Sequence, residues 1–238
     1  MRRTALVTGA GRGIGRAIVD GLASEAWVAG LDVAFPDGAG AAALTLDADV
    51  ADCARVHGAV ERLLAERGGL DWVVCAAGIT RDRVSWKMSD ADWDDVLAVN
   101  LTGAFNIARA AAQALRESGR GRLVFISSIN GLRGSFGQAN YAAAKAGLVG
   151  LARSLALELA RDAVTVNVVA PGFIDTAMTR DLPEGVRARA LARTPLGRLG
   201  TVSDVAAVVR FLCGEAAGFV TGAVLPVDGG QLLGGVPA

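Results

Sequence analysis

Short apolar runs alternate regularly with longer stretches of helical periodicity from one end of the chain to the other. Seven runs rich in Val, Leu and Ile, from TALVTG to AVLPVDGG, are continuous rather than mixed with polar residues, as expected of strands buried on both faces. The alternation predicts a single α/β domain over residues 1–238, with a doubly wound parallel sheet and helices on both faces. The helical stretches cover residues 14–25, 52–66, 90–117, 140–160 and 202–213.

Charge and cysteine content argue against several classes of protein. Lys plus Arg and Asp plus Glu balance at 24 each, so no overall field favours nucleic acid or an anionic membrane. No apolar stretch approaches the roughly 18 to 20 residues of a membrane span, so we expect a cytoplasmic protein. The cysteines Cys53, Cys75 and Cys213 and the single His57 lack the spacing of metal ligands or of a disulfide framework. We therefore expect reduced thiols and no metal site.

Residues 175–200 differ from the rest of the chain. They carry turn residues, several arginines and few apolar residues. We interpret this segment as a surface flap with a short helix, lying over the substrate site.

The first apolar run leads directly into TGAGRGIG, residues 8–15, and then into a predicted helix. Gly9, Gly13 and Gly15 permit a tight turn and close approach of a ligand to the backbone, while the helix N-terminus offers N–H groups to a phosphate. A loop of this kind can be a simple turn, but its place between a strand and a helix favours a dinucleotide site.

The end of the second apolar run indicates which dinucleotide. Asp32 stands where a carboxylate can accept both hydroxyls of an adenosine ribose, and the 2′-phosphate of NADP(H) would face its negative charge. Arg12, in the glycine loop, can instead pair with that phosphate. We expect NAD(H) to be favoured and keep NADP(H) as the alternative.

The only tyrosine of the chain, Tyr141, precedes Lys145 by four residues in a predicted helix. Residues four apart share a helix face, and a neighbouring ammonium favours the phenolate, which lowers the pKa of a tyrosine toward the range useful for proton transfer. The strand GRLVFISS ends in Ser127 and Ser128 shortly before this pair, and reacting groups gather at such carboxyl ends.

Taken in order, the motifs TGAGRGIG, CAAG, VNLTGAFN, ISSINGLRGSFGQANYAAAKAG and APGFIDTAMT resemble those of the short-chain dehydrogenase/reductase family over essentially the whole chain. The resemblance implies a Rossmann fold with seven strands in the order 3-2-1-4-5-6-7 and a catalytic set of Asn100, Ser128, Tyr141 and Lys145. Tyr141 would donate the proton and Ser128 would polarise the substrate carbonyl. Lys145 would bind the nicotinamide ribose and lower the tyrosine pKa, and Asn100 would anchor a water that relays protons.

The same resemblance assigns the remaining contacts and shows one departure. Ala76 stands where the family usually has an asparagine that braces the central strands, which puts local rigidity in doubt. The substrate residues would be Ser128, Gln138, Tyr141 and Phe173. The cofactor residues would be Gly9, Arg12, Gly13, Ile14, Gly15, Asp32, Asp49, Val50, Ala77, Gly78, Tyr141, Lys145, Pro171, Gly172, Ile174 and Thr176.

Within the family, the stretches AGITRD, INGLRGSFGQANYAAAKAGL and PLGRLG look most like reductases of 3-oxoacyl thioesters, on acyl-carrier protein or coenzyme A. Arginines can hold the phosphates that such substrates carry, or dock an acidic carrier. Candidates for the phosphates are Arg180, Arg187, Arg189 and Arg193 of the flap, and candidates for a docking patch near the site mouth are Arg116, Arg120, Arg122 and Arg161.

Two other functions remain open. An NAD-dependent secondary-alcohol dehydrogenase would use the same chemistry on a small substrate without a thioester. A nucleotide-sensing protein without activity is disfavoured because both Tyr141 and Lys145 are present.

Resemblance also implies a homotetramer in which helices 90–117 and 140–160 pair with the same helices of another copy. The small side chains of these helices permit close packing.

Overall fold

The computed structural model describes residues 2–36, 38–176, 179 and 184–234. Seven parallel strands form one sheet in the order β3-β2-β1-β4-β5-β6-β9, and β7 pairs with β8 apart from it. The predicted order is confirmed, and the seventh strand of the sheet is β9 because two short strands precede it. The strands are Arg3–Thr8 (β1), Ala26–Asp32 (β2), Leu44–Asp47 (β3), Trp72–Cys75 (β4), Arg122–Ile126 (β5), Thr165–Pro171 (β6), Ile174–Asp175 (β7), Gly200–Thr201 (β8) and Val224–Val227 (β9).

Helices cover both faces of the sheet, as the alternation predicts. On one face α2, α4 and α6 pack over a core that includes Leu63, Leu115 and Leu148, and on the other α1 and α8 pack over Ile18 and Val209. Burial of this apolar surface is the main stabilising contribution. The helices are Gly13–Leu22 (α1), Cys53–Arg67 (α2), Asp90–Leu97 (α3), Gly103–Glu117 (α4), Ile129–Arg133 (α5), Ala139–Leu159 (α6), Glu184–Ala192 (α7) and Val202–Cys213 (α8).

The stretch 90–117, predicted as one helix, is helical throughout but changes its hydrogen-bonding pattern. A π-helical segment, Ala98–Thr102, joins α3 to α4 and contains the buried Asn100. Insertions of this kind are frequent at functional sites because they redirect a side chain within an otherwise regular helix. No described helix has the length and apolar character needed to cross a membrane.

The segment 175–200 forms a short helix, as expected, and its two ends lie side by side. Asp175 of β7 pairs in register with Thr201 of β8, and no residue of α7 is buried. Arg180 lies outside the described residues. The covering of the substrate site by this flap stays a prediction.

Candidate active site

The glycine loop connects β1 to α1 at the carboxyl edge of the sheet. Gly9 and Gly13 have φ values of +68° and +56°, which residues with a Cβ rarely adopt. A methyl group on Gly9 would lie 2.8 Å from the amide of Ala77, and one on Gly15 would strike the carbonyl of Gly9. Nothing lies within 4 Å of such a group on Gly13. The loop is therefore tightly packed against neighbouring backbone at Gly9 and Gly15 and open at Gly13. This arrangement fits the backbone cradle of a dinucleotide phosphate.

Asp32 ends β2 beside this loop. Its carboxylate accepts hydrogen bonds from the backbone N–H of Gly11 at 2.8 Å and of Val33 at 2.7 Å. Arg12 is exposed, and no ion pair involves it among the described residues. The carboxylate is held in place by the backbone, whereas the guanidinium is not.

The predicted adenine contacts lie after β3. Asp49 accepts a hydrogen bond from the amide of Ala51, and Asp52 caps α2. Val50 is buried, and its carbonyl accepts a hydrogen bond from Asn106 Nδ2 at 3.0 Å. A methyl group on Gly103 would lie 2.6 Å from Val50 Cγ2, so α4 packs directly against this residue.

Thr8 contacts the segment that lacks the family's asparagine. Its Oγ1 accepts hydrogen bonds from the amides of Ala76 and Ala77 at 3.1 and 3.2 Å, which joins the end of β1 to the turn after β4. These two bonds link the turn at Ala76 to β1 through the Thr8 side chain. The effect of the missing asparagine on local rigidity stays a prediction.

Asn100 in the π-helical segment faces the turn after β4. Its side chain accepts from the amide of Ile79 at 2.8 Å and donates to the carbonyl of the same residue at 2.9 Å. A methyl group on Gly78 would lie 2.9 Å from Asn100 Oδ1 and 3.3 Å from Lys145 Nζ. Asn100, Gly78 and Lys145 therefore meet at one point.

Lys145 is buried in α6. Its Nζ donates to the carbonyl of Ile126 at 2.8 Å, and the hydroxyl of Ser127 donates to the Lys145 carbonyl at 2.7 Å. Burial lowers the pKa of the lysine from 10.5 to about 8. The neighbouring Cys75 does not form a thiolate to balance the ammonium, because burial raises its pKa to about 12.

Tyr141 lies one helical turn before Lys145, with its ring centroid 5.7 Å from Nζ. Burial raises the pKa of the phenol, the hydroxyl of Ser128 lowers it by hydrogen bonding, and the carboxylate of Asp82 raises it. The expectation that the ammonium lowers this pKa is wrong for this structure, because Nζ is turned to the Ile126 carbonyl and burial dominates. At neutral pH the phenol keeps its proton.

A chain of side-chain hydrogen bonds crosses the loop before α6. Ser128 Oγ accepts from the amide of Asn130 at 3.1 Å, and Asn130 Nδ2 donates to Gln138 Oε1 at 2.9 Å. Gln138 in turn donates to Asp82 at 2.8 Å. Gln138 was assigned to the substrate, but its amide is already engaged at both ends and holds the loop beside Tyr141.

The APGFIDT motif, residues 170–176, begins with the last two residues of β6 and includes β7. The amide of Phe173 donates to Gln231 Oε1 at 3.0 Å, and Ile174 is buried. The amide of Thr176 donates to Thr179 Oγ1 at 2.8 Å. Gln231 thus anchors the backbone of the segment assigned to the nicotinamide and the substrate.

The predicted docking patch does not lie near the site mouth. Arg122 begins β5, and Ser128 follows the opposite end of this strand, so the two are separated by roughly 15 to 20 Å of extended chain. Arg116 and Arg120 form ion pairs with Asp162 and Asp71. Arg161 lies in the short turn just before β6 begins, at the same edge of the sheet as Arg122. The prediction is wrong because these arginines lie at the edge of the sheet opposite to the serine.

Four supporting residues were missed by sequence reasoning. Thr8, Asn106 and Gln231 all bond the backbone of distant segments, which sequence spacing does not reveal. Asn140 precedes the tyrosine, and its Nδ2 donates to the carbonyls of Arg81 and Asp92. Its position directly before Tyr141 was the one available signal.

Comparison with known proteins agrees with this geometry. A family model described as enoyl-(acyl carrier protein) reductase matches residues 9–231. The chain is 44% identical over 238 residues to the 3-oxoacyl-[acyl-carrier-protein] reductase FabG of Escherichia coli, covering 97% of this chain and 98% of that protein. It is 43% identical over 235 residues to the 3-oxoacyl-[acyl-carrier-protein] reductase MabA of Mycobacterium avium, covering 98% of this chain and 91% of that protein. MabA of Mycobacterium tuberculosis is also 43% identical.

Proposed function

Because the chain belongs to the short-chain dehydrogenase/reductase family, we propose that it reduces the 3-oxo group of a 3-oxoacyl thioester to the 3-hydroxyacyl thioester. The observation that carries the proposal is the buried Tyr141 phenol, which lies beside the Ser128 hydroxyl and one helical turn from Lys145. A nicotinamide cofactor, when bound, supplies the hydride. The activity is of EC 1.1.1 type.

Each catalytic side chain has one task in this proposal. Tyr141 donates its proton to the carbonyl oxygen, and Ser128 polarises that oxygen by donating a hydrogen bond. Lys145 would hold the ribose of a bound nicotinamide cofactor and would replace the proton that the phenol loses. The Asn100 side chain bonds the backbone N–H and carbonyl of Ile79 and so fixes the turn at Gly78. Asn100 would also anchor a water in the proton path, as the family resemblance implies.

The remaining cofactor contacts follow the loop and the strand ends. Asp32 is the basis for a preference for NAD(H): its carboxylate, held by Gly11 and Val33, accepts the ribose hydroxyls and opposes a 2′-phosphate. Pairing of Arg12 with the 2′-phosphate would instead give a preference for NADP(H). Further binding residues are Gly9, Gly13, Ile14, Gly15, Asp49, Val50, Ala77, Gly78, Pro171, Gly172, Ile174 and Thr176.

The test is the initial rate of acetoacetyl-CoA reduction, with NADH and NADPH run side by side on the wild type, Asp32→Asn and the exposed-acid control Glu66→Gln. We expect NADH to be preferred, and we expect Asp32→Asn alone to move the ratio of kcat/KM toward NADPH by about tenfold or more. A wild-type preference for NADPH overturns the role of Asp32. No rate with either cofactor, while NADH still binds, overturns the thioester assignment and favours the secondary-alcohol dehydrogenase.

We further propose acyl-carrier protein as the carrier of the thioester, because the relatives above are named for that substrate. Arg189 and Arg193 in and after α7 are exposed, whereas Arg187 already pairs with Asp175 at 3.1 Å. Arg189→Met combined with Arg193→Met is expected to raise KM for an acyl-carrier-protein substrate and to leave kcat unchanged. Equal KM values would remove these arginines from substrate binding.

A homotetramer is the proposed assembly. Leu157 on α6 is 82% exposed and Phe105 on α4 is 39% exposed, so each helix presents an apolar side chain to solvent. Covering such surface favours association. Light scattering should report a tetramer at micromolar concentration, and Leu157→Arg should reduce its mass; a monomeric wild type would exclude this assembly.

A further inference from the structure

The segment that follows β4 brings a carboxylate near the candidate catalytic tyrosine. Asp82 lies in this segment and is exposed. Its Oδ2 accepts a hydrogen bond from Gln138 Nε2 at 2.8 Å, and Gln138 precedes Tyr141 by three residues. None of the reaction steps proposed above uses Asp82.

Two further contacts fasten this segment to the start of α6, one on each side of the carboxylate. Arg83 pairs with Gln138 in a parallel β-bridge. The fully buried Asn140 donates to the carbonyl of Arg81 at 3.0 Å and accepts from the amide of Tyr141 at 2.8 Å. The carboxylate is therefore held in place relative to the tyrosine, although its side chain is exposed.

The arginines beside Asp82 do not neutralise it, because each has another partner. Arg81 pairs with Asp95 at 3.7 Å and Arg83 pairs with Asp92 at 3.3 Å, and both acids belong to α3. No ion pair involves Asp82 among the described residues. Its negative charge is therefore not balanced locally.

The other ionisable groups around Tyr141 are engaged elsewhere or neutral. On α6 the Lys145 ammonium is turned to a backbone carbonyl, and on α5 Arg133 donates to a side-chain amide of its own helix. On β4 the Cys75 thiol is neutral because burial raises its pKa to about 12. The acids of α3 are paired, as described above. Burial is the main cause that raises the pKa of the phenol, and the Asp82 carboxylate raises it further, because a like charge disfavours the phenolate.

We propose that Asp82 is a positioning residue that acts through Tyr141: its fixed carboxylate keeps the phenol in the acid form that donates a proton to the substrate. The inference rests on the proposed function, since reduction needs that form of the phenol. A charge acts more strongly on a buried group than on an exposed one, because protein screens it less than water does. Loss of the charge should let the phenolate form at lower pH, so that reduction fails at lower pH.

The test uses the fact that Tyr141 is the only tyrosine in the sequence. The ultraviolet absorbance of tyrosinate therefore reports this phenol directly in the full chain, without any substrate, while circular dichroism reports folding over the same pH range. Asp82→Asn removes the charge, and its amide oxygen can still accept from Gln138. The matched control is Asp94→Asn, because Asp94 is an exposed acid of α3 that forms no ion pair among the described residues.

The midpoint of the tyrosinate signal should move to lower pH in Asp82→Asn and stay unchanged in Asp94→Asn. About one pH unit below the wild-type midpoint, Asp82→Asn should show about twofold more tyrosinate than the wild type. Asp82→Glu, which keeps the charge, should restore most of the wild-type behaviour. In about 1 M salt the difference between Asp82→Asn and the wild type should shrink, because an exposed charge is then screened within about 3 Å.

The second readout is the pH dependence of kcat for acetoacetyl-CoA reduction, which should begin to fall at lower pH in Asp82→Asn than in the wild type. An unchanged tyrosinate midpoint in Asp82→Asn would overturn the proposal, and so would an equal shift in Asp94→Asn. A lower kcat with neither pH dependence moved would leave Asp82 a structural role only and would also overturn it. A shifted midpoint in a protein that does not reduce acetoacetyl-CoA would support the effect of Asp82 on the phenol and count against the proposed function instead.

Discussion

Replacement of the buried Lys145 by methionine should make the protein more stable at neutral pH and less stable at high pH. The side chain is buried, no carboxylate pairs with it within the described residues, and its pKa falls from 10.5 to about 8. A fall of about 2.5 pKa units corresponds to a cost of about 3 kcal/mol for burying the ammonium. Methionine removes this cost, but it also removes the hydrogen bond to the Ile126 carbonyl, which contributes about 1 kcal/mol.

The sign of the effect depends on pH. Below about pH 8 the lysine is protonated in the folded and unfolded states, so the full cost applies and Lys145→Met should gain about 2 kcal/mol. Between about 8 and 10.5 only the unfolded state keeps the proton, so the wild type becomes more stable as the pH rises. Near pH 10 the gain should vanish, and above it the lost hydrogen bond should leave the variant about 1 kcal/mol less stable.

Urea denaturation at pH 7, 8, 9 and 10 measures this difference, at one protein concentration because assembly also affects stability. The matched control is Lys87→Met, because Lys87 is exposed and is the only other lysine in the sequence. Lys87→Met should differ from the wild type by a constant amount. A Lys145→Met difference that does not change with pH would refute the reasoning, since it would mean that the lysine is not desolvated.

Three further predictions concern the reaction and the fold. Tyr141→Phe should lower kcat by about 10² or more with NADH affinity unchanged, measured by stopped-flow and fluorescence titration; retained turnover would remove the phenol from the acid role. Gly15→Ala should weaken NADH binding about tenfold or more in the same titration, because the added methyl strikes the Gly9 carbonyl; an unchanged Kd would contradict the tight packing of the loop. Thr201→Ala should cost about 1 kcal/mol in urea denaturation and Thr201→Ser much less, because the hydroxyl caps α8 by accepting from the amide of Asp204; equal losses would exclude the cap.

The sequence alone determined the layered architecture. Continuous apolar runs separated by helical stretches leave a parallel sheet covered on both faces as the arrangement that buries every apolar face. The glycine loop and the carboxyl ends of the strands then determined where a ligand would bind. The order of the strands and the roles of Ser128, Tyr141 and Lys145 came from resemblance to a family rather than from these patterns.

Only the tertiary structure decided the properties that depend on long-range contacts. Spacing places Tyr141 beside Lys145, but the direction of each pKa shift depends on burial, which comes from segments distant in the chain. Thr8 secures the turn at Ala76 from another strand, a contact that no local pattern reveals. We predicted that Arg122, at the start of β5, lies near the site because it is close to Ser128 in the sequence. Arg122 lies at the opposite edge of the sheet because the two ends of one strand are separated by the length of that strand. The carboxyl ends of different parallel strands, in contrast, lie together at one edge of the sheet.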